Sequence, residues 1–495
     1  MTSSYWERDT SRKIYAPLQK DLETEVLIVG GGITGIVTAW NLMQAGKKAV
    51  LVEGDRLGSG VSGHTTAHLN ISVDAEYARI VNDFGEEVAK QVAEAASLAI
   101  ELVGKIDSAH QLGAHYQKVP AYDWAETTQE IIELQRELKA AQAAGIRAEE
   151  VDDLNALPFP TGMVVRWEPN ARFHPLKFIY GLAEVLLKAG VQIYEQSRVI
   201  DLTEEGDAME ATLENGTTIR AQQVVLATHS PIFMHSVHPR MAPYRSYALA
   251  VRTRQELPDY LLYDMKDPYH YIRKEADGVV IIGGADHKTG HAEDENDHLQ
   301  QLKDWTEERF GIAEYLASWS AQVFEPADRM PFIGRSPSQK RVFYGTGYSG
   351  DGTLWGTFAG YLLSDLITGK ENKWERIFSP SRLNISAEAG DFLKMNMEVA
   401  KDFVADRFQS DASDVKEVGL DDGKIIRQGV QQYAVYRDKQ GGLHVMSPTC
   451  VHMGCVVQWN KLEKTWDCPC HGGRYKATGE QLEGPPAHGL RKADL

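Results

Sequence analysis

The four cysteines of this 495-residue chain all lie near its carboxyl end, beside two histidines that share their loops. Cys450 and His452 form a C-x-H motif, and Cys468 and His471 form a C-x-x-H motif after fifteen intervening residues. Two thiolates on one iron and two neutral imidazoles on the other can hold a [2Fe-2S] cluster. Histidine ligands remove negative charge and raise the reduction potential above that of four-cysteine ferredoxins. The spacing therefore predicts a redox cluster, with Cys450 and Cys468 on one iron and His452 and His471 on the other.

Structural zinc is the alternative metal, because cysteine and histidine at short spacing also form tetrahedral sites. One further cysteine lies beside each motif, Cys455 in the first loop and Cys470 in the second. Two thiols in matching positions suggest a disulfide that joins the two loops over the cluster. This pair favours iron and sulfur over zinc.

Residues from about 412 to 495 resemble a Rieske domain of the cytochrome bc/b6f type, whose loops read C-T-H-x-G-C and C-P-C-H-G-S. Gly473 stands where that family has its last serine, whereas Tyr475, two residues later, keeps the family's phenol. Hydrogen bonds to cluster sulfur stabilise the reduced, more negative state. The resemblance therefore implies a midpoint potential below that of the bc-type proteins.

A second chemical motif lies near the amino end. Residues 25–53 have the pattern of a strand, a glycine-rich turn, a helix, and a second strand that ends in Glu53. Gly30 allows the tight turn, Gly32 the approach of a pyrophosphate, and Gly35 the close packing of helix and strand. The helix amino end favours phosphate, and the Glu53 carboxylate can accept ribose hydroxyls. Because strands and acid accompany the glycines, a dinucleotide site is favoured over an ordinary glycine-rich turn.

A later stretch, residues 345–350, also matches G-x-G-x-x-G but is not interpreted as a second nucleotide site. The following residues, 357–367, have a helical pattern, and no strand ending in an acid comes within about twenty residues. The sequence therefore contains no second dinucleotide-binding unit for a nicotinamide cofactor, so direct oxidation of NAD(P)H is not expected.

Residues 20–370 resemble the D-amino-acid and glycine oxidase (DAO) family of flavoproteins. The matching segments are Gly58-Ser59-Gly60, Phe173-His174-Pro175, and residues 190–195, 224–228, 281–284 and 330–334. The resemblance implies FAD, bound by an α/β Rossmann-like domain of the glutathione-reductase type. That domain is expected to be interleaved with an antiparallel-sheet substrate domain and followed by a helical connector and a small all-β Rieske domain.

The resemblance also implies which residues contact FAD. They are Gly30, Gly32, Ile33, Thr34, Gly35, Glu53, Gly54, His64, Thr65, Thr66, Val199, Ala227, Thr228, Gly347, Gly350, Gly352 and Thr353. Sarcosine and dimethylglycine dehydrogenases carry a histidine covalently bonded to FAD at the position of His64. A single matching residue transfers weakly, so a non-covalent contact from His64 is the preferred interpretation.

Substrate contacts are expected from Tyr269, Tyr271 and Arg273, because relatives hold an amino-acid carboxylate with tyrosine and arginine. The segment Arg245-Ser246-Tyr247 is expected over the flavin as well. The alternative is packing, since these tyrosines and Arg273 alternate along one face of a strand.

Several acids and histidines could suggest a mononuclear iron site of an aromatic-ring oxygenase. They are Asp286, His287, His291, Asp294, Asp297 and His298. The surrounding stretch is polar and has no apolar period, which favours a solvated loop.

Composition limits the classes of function. The chain is 43% apolar and 25% charged, which is typical of a soluble protein of two or three domains. A net charge of −18 argues against nucleic acid or an anionic membrane as a partner. The polar amino terminus and the lack of a run of about 18 apolar residues predict a soluble, cytoplasmic protein.

Three regions are expected. Residues 1–373 form the flavin-dependent oxidoreductase, with FAD-binding parts at about 20–80, 170–235 and 325–370 and substrate parts at about 81–169 and 236–324. Residues 374–411 form the connector and residues 412–495 the Rieske domain. A helix from about 386 to 408 should bury the stripe Phe392, Met395, Val399 and Phe403.

Flavin accepts two electrons as a hydride, whereas a [2Fe-2S] centre accepts one at a time. The expected function is oxidation of an amine or amino acid at FAD, with electrons leaving singly through an exposed edge of His452 or His471 to an external carrier. An electron-transfer protein without an organic substrate, and a reductase that runs electrons from the cluster to FAD, remain alternatives. The sequence does not indicate the oligomeric state.

Overall fold

The computed structural model describes residues 3–8, 10–152, 157–291, 295–405, 407 and 410–494. The α-helices, α1 to α10 in chain order, are Tyr5–Arg8, Ile33–Gln44, Tyr77–Phe84, Glu86–His110, Thr128–Ala143, Pro175–Lys188, Glu295–Phe310, Gly352–Thr368, Glu375–Phe378 and Ile385–Ala405. Short 3-10 helices are Val61–Gly63, His238–Arg240, Ala276–Gly278 and Val415–Glu417. None of the helices in these residues is long and apolar enough to cross a membrane.

The strands follow the same chain-order numbering. They are β1 Leu22–Val29, β2 Ala49–Val52, β3 His68–Leu69, β4 Gln117–Lys118, β5 Ala121–Ala125, β6 Arg147–Val151, β7 Met163–Glu168, β8 Ala171–Arg172, β9 Gln192–Tyr194, β10 Val199–Glu205, β11 Ala208–Leu213, β12 Thr218–Leu226, β13 Met241–Thr253, β14 Leu261–Asp264, β15 Tyr271–Lys274, β16 Val280–Lys288, β17 Ile312–Pro326, β18 Phe332–Arg335, β19 Val342–Thr346, β20 Asp422–Gln428, β21 Gln431–Arg437, β22 Leu443–Met446, β23 Gln458–Asn460, β24 Thr465–Asp467, β25 Arg474–Lys476 and β26 Gln481–Glu483.

An eight-stranded sheet carries the glycine-rich turn. Strand β1 lies between β12 and β2 and is parallel to both, and β9 and β19 extend the parallel part. The last four residues of β1 are buried and apolar, as expected for a parallel strand that is covered on both faces. Helices α2 and α8 pack closely, because Gly356 and Gly360 carry no side chain where a Cβ would lie under 3 Å from Ile33 and Val37.

A second eight-stranded sheet has the order β17-β13-β16-β15-β14-β5-β7-β6. Its pairs are antiparallel, as expected, apart from β14 and β5, which are parallel. The parallel pair arises where two distant chain segments join. A register shift in β13 between Arg245 and Tyr247 bends the strand beside β16.

The carboxyl-terminal residues form two small antiparallel sheets, β20-β21-β22 and β23-β24-β25-β26. The first cysteine motif lies between β22 and β23, and the second between β24 and β25. This arrangement confirms the expected small all-β domain.

Helix α10 confirms the expected connector helix, but its apolar stripe is only partly covered. Phe392 and Phe403 are 38% and 36% exposed, while Met395 and Val399 are half-buried. Val399 packs against the core of the carboxyl-terminal domain, and Asn396 donates to the Pro239 carbonyl at 2.9 Å. The helix thus lies on the surface and touches both domains, and part of its stripe is exposed.

Candidate active site and cluster centre

A cavity of about 1150 Å³ lies where the first sheet, the second sheet and the carboxyl-terminal domain meet. Apart from Gly35 and Gly347, all the residues expected to bind FAD line it. They are Gly30, Gly32, Ile33, Thr34, Glu53, Gly54, His64, Thr65, Thr66, Val199, Ala227, Thr228, Gly350, Gly352 and Thr353. The cavity therefore joins the two ends of the expected flavin site.

The glycine turn is built for close backbone contact. Gly30 has φ +112°, and a Cβ there would lie 2.4 Å from the Ala227 carbonyl oxygen. A Cβ at Gly35 would lie 2.0 Å from the Gly30 oxygen. Gly35 therefore serves helix–strand packing rather than cavity contact, and Gly347, with φ +69°, forms a turn against Pro326.

The dinucleotide end has the chemistry that ribose and pyrophosphate require. Gly32, Ile33 and Thr34 line the cavity, so the amino end of α2 borders it, and Ser62 Oγ accepts from the Ile33 amide there at 2.9 Å. Glu53 accepts from the Gly31 and Asp55 amides at 2.7 and 2.8 Å, which directs its carboxylate to the cavity rim. Burial raises the pKa of Glu53 above its ordinary value. These residues fit a bound FAD.

The amino end of α8 forms the opposite end of the cavity. A Cβ at Gly350 would lie 2.6 Å from Asp74 Oδ2 and 2.7 Å from the Tyr269 hydroxyl, so a larger residue would displace these two side chains. The Asp351 carboxylate accepts from the Asp74 amide at 2.8 Å. His64 lines the cavity with Nδ1 2.9 Å from the Gly60 carbonyl oxygen.

The two predicted tyrosines lie in the cavity wall. Tyr269 donates to Asp74 Oδ1 at 2.8 Å, and the Tyr271 hydroxyl lies 2.7 Å from Ser246 Oγ. Tyr271 pairs across strands with Gly283, where a Cβ would lie 2.0 Å from its ring. The glycine thus lets the ring lie over β16.

Arg273 contradicts the prediction that it holds substrate. Its side chain is 0% exposed, and Nη1 donates to the carbonyls of Thr66, Ala67 and Phe173 at 3.0, 2.9 and 3.0 Å. Its other nitrogen, Nη2, donates to Glu275. Arg273 therefore braces the loop that follows His64, because a buried guanidinium needs partners for its donors.

The acid and histidine stretch is only partly a solvated loop. Asp286 and His287 lie on β16, and Asp286 lines the cavity. The His287 ring lies 4.3 Å from that of His298 on α7. His291 is exposed as expected, and Asp294 lies outside the described residues.

The two cysteine loops come together as predicted. Cys455 and Cys470 form a disulfide with a Cα–Cα distance of 6.5 Å. Cys450 and Cys468 take no part in a disulfide, and both are buried. Cys468 also lies near both disulfide sulfurs, but these are already bonded to each other and cannot serve as thiolate ligands.

The imidazoles and a phenol complete the ligand set. His452 Nε2 and His471 Nδ1 are buried nitrogens without a hydrogen-bond partner in the described part of the chain, so each can serve a metal. The Tyr475 hydroxyl lies 3.1 Å from Cys450 Sγ, as expected for the retained family phenol. Two thiols and two available imidazole nitrogens fit a [2Fe-2S] cluster.

The histidine edge of this centre is turned inward rather than exposed. The His238 ring lies 4.7 Å from that of His452 and 6.2 Å from that of His471, measured between centroids. His471 is 6% exposed. The expectation of an open imidazole edge was therefore wrong for His471, which the carboxyl-terminal domain docks against the flavin domain, whereas His452 is half-buried.

A buried ionic network holds the two domains together. Arg245 of β13 donates to Glu463 Oε1 at 2.5 Å, and Ser320 and Arg474 also donate to Glu463. Burial alone would raise the pKa of Glu463, but Arg245 and Arg474 hold it well below its usual range. Gln322 of β17 adds a bond to the Gly472 carbonyl at 2.9 Å.

Sequence reasoning did not identify His238, Gln322, Glu463 or Asp74 as site residues. His238 and its neighbours His229 and His235 form a histidine-rich loop after β12, which is a usable signal. Neither Gln322, on a strand that already mixes polar and apolar residues, nor Glu463 has a local signal in the sequence. The role of Glu463 depends on a residue more than 200 positions away.

The fold and the two sites define an FAD-dependent oxidoreductase that carries a Rieske [2Fe-2S] domain. The family model for FAD dependent oxidoreductases matches residues 25–366, and that for the Rieske [2Fe-2S] domain matches residues 410–493. The chain belongs to the FAD-dependent oxidoreductase (DAO) family.

Relatives support both halves. The chain is 30% identical over 99% of its length, and 97% of the relative's, to the putative Rieske 2Fe-2S iron-sulfur protein YhfW of Bacillus subtilis. It is 24% identical to the gamma-glutamylputrescine oxidoreductase of Escherichia coli, over 76% of this chain and 91% of that protein. The glycine oxidase structure from Geobacillus kaustophilus superposes with a TM-score of 0.63 at 19% identity, over 73% of this chain and 99% of that one.

Proposed function

We propose that the protein oxidises an amine or amino acid at FAD and passes the electrons singly through the cluster to an external acceptor. One observation carries this proposal. The cavity that contains the FAD residues is also lined by Glu463 and Arg474 of the Rieske domain, whose imidazole ligands pack on the same flavin domain. This arrangement suits electron exchange within one chain.

Bound FAD would accept a hydride from the carbon beside nitrogen, and the bound cluster would accept single electrons. The substrate loses that hydride and one N–H proton and becomes an imine, which water hydrolyses. The chain's own residues would orient the substrate: Tyr269 and Tyr271 stand in the wall with their hydroxyls held by Asp74 and Ser246. Orientation and exclusion of water are the protein's contribution.

The burial of the His471 ligand limits how an external acceptor can receive electrons from the cluster. With His471 buried, a carrier must receive electrons through the outer surface of the Rieske domain or after that domain has moved. Met453, beside His452, is 43% exposed and marks the outer surface close to the ligands.

Anaerobic mixing of the purified protein with a panel of amines and amino acids tests the function. Bleaching of the flavin absorbance followed by the paramagnetic signal of the reduced cluster supports a dehydrogenase. Absence of bleaching with every compound contradicts it and favours an electron-transfer role. If reduced cluster forms first with an artificial donor and the flavin bleaches afterwards, the reductase direction is favoured.

A further inference from the structure

One wall of the cavity, between β13, β15 and β16, combines carboxylates with phenol rings. The lining residues of this wall are Asp74, Asp286, Asp351, Ser246, Tyr263, Tyr269 and Tyr271. The ring centroids of Tyr263 and Tyr269 are 6.4 Å apart, and those of Tyr269 and Tyr271 are 5.6 Å apart. The wall thus presents carboxyl groups and aromatic faces together.

The neighbouring cations are already paired. Arg245 contacts Glu463 and also lies 3.8 Å from Glu483, and Arg273 is enclosed with Glu275. His68 lines the same region, but burial lowers its pKa well below the ordinary value, so it is neutral at pH 7. Arg245 and Arg273 keep Nε atoms without a hydrogen-bond partner among the described residues, but a glutamate balances the charge of each, which disfavours a substrate carboxylate at this wall.

Asp286 has a free acceptor. Its Oδ1 atom is buried and has no hydrogen-bond partner among the residues that the structure describes. A buried carboxylate oxygen without a donor is unfavourable until a ligand supplies one. An ammonium group supplies up to three donors and a compensating charge, and tyrosine faces attract cations within about 6 Å.

We propose that the substrate is an alkylamine recognised through a positively charged ammonium group, which Asp286 and the tyrosine rings bind in this wall, and not through a carboxylate. The inference rests on the proposed function and chooses between its two substrate classes. Burial raises the pKa of Asp286 to about 7, and a bound cation favours its ionised form.

Non-oxidisable ligands of matched shape test the inference on the FAD-loaded protein. tert-Butylammonium keeps three N–H donors but has no hydrogen on the carbon beside nitrogen, and pivalate is the carboxylate of the same shape. The two are titrated separately, and binding is followed by the visible spectrum of the flavin and by calorimetry. We expect the cation to bind and pivalate not to bind. Asp286→Asn should weaken cation binding by about tenfold or more, since a charged hydrogen-bond partner is lost.

Asp304→Asn is the matched control, because Asp304 is an exposed residue of α7 and the variant loses the same charge. Tyr271→Leu serves as a second variant if Asp286→Asn does not retain FAD. This variant should also lower the affinity for the cation. Tighter binding of pivalate than of the cation, no binding of the cation, or equal cation affinity in the folded variants and the control would overturn the inference. Because neither ligand is oxidised, this result is independent of whether any amine bleaches the flavin.

Discussion

The carboxylate of Glu463 in the Rieske domain lies 2.5 Å from the guanidinium of Arg245 in the flavin domain, and their side chains are only 11% and 2% exposed. Arg474 approaches Glu463 from its own domain. A buried carboxylate between two arginines is stable only while the domains stay docked, because separation would leave Arg245 without this partner. The pair therefore links the position of the cluster to the wall of the flavin cavity.

Glu463→Gln should weaken docking by about 3 kcal/mol, the lower end of the cost of breaking a buried pair. Hydrogen exchange of the amides around Gly472 should become faster, and FAD should be released at a lower temperature. Glu371→Gln removes an exposed glutamate outside the interface and should change neither measurement. Unchanged exchange in Glu463→Gln would show that this pair does not hold the domains.

Docking should also weaken in acid. Burial would raise the pKa of Glu483, but the hydrogen bond to His229 and the charge of Arg474 outweigh it and lower the pKa to about 2. A lowered pKa means that the docked form is favoured above the ordinary pKa of about 4.3 and loses this contribution as pH falls toward 2. FAD release measured from pH 6 to pH 3 should rise in that window, and less so in Glu483→Gln.

Gly473→Ser should raise the cluster's midpoint potential, because a hydroxyl there could donate to sulfur. A Cβ at this position would lie 3.3 Å from Cys450 Sγ and 2.8 Å from Pro486. A net hydrogen bond of about 0.5–1.5 kcal/mol corresponds to about 20–60 mV in a one-electron couple. Gly473→Ala makes the same steric contact without the hydroxyl, so a redox titration that places both variants at one potential would contradict the prediction.

Replacing Cys455 and Cys470 together by serine should destabilise the Rieske domain by about 3 kcal/mol, the loop-closure value for about fifteen residues. The loss of visible absorbance from the cluster during denaturant titration measures this. The double variant removes both thiols, which avoids a new free cysteine beside Cys468. Adding a reductant to the native protein should shift its curve toward that of the variant.

His64 is expected to contact FAD without a covalent bond. Acid precipitation should therefore give a colourless pellet with the flavin in the supernatant. A yellow pellet that becomes colourless in His64→Ala would establish the bond instead.

Local spacing was sufficient to predict the two cofactors and the segments of the chain that should bind them. Two short loops contain the cluster residues Cys450, His452, Cys468 and His471. One strand–turn–helix–strand unit contains Gly30, Gly32 and Glu53. Because each set lies within a few dozen residues, the pattern of residue types alone indicates its chemistry. Substrate residues were harder to predict. Period-two alternation placed Tyr271 and Arg273 on one strand face but could not show that Arg273 is enclosed by main-chain carbonyls and Glu275.

The sequence by itself determined the two redox centres of this protein, because each depends on residue types at short, regular separations. Only the tertiary structure decided how the centres face each other. The inward turn of His471, the pairing of Arg245 with Glu463 and the unpartnered Asp286 oxygen depend on contacts between segments far apart in the chain. Burial and charge pairing at such contacts are set by the packing of whole domains, and no local pattern encodes them.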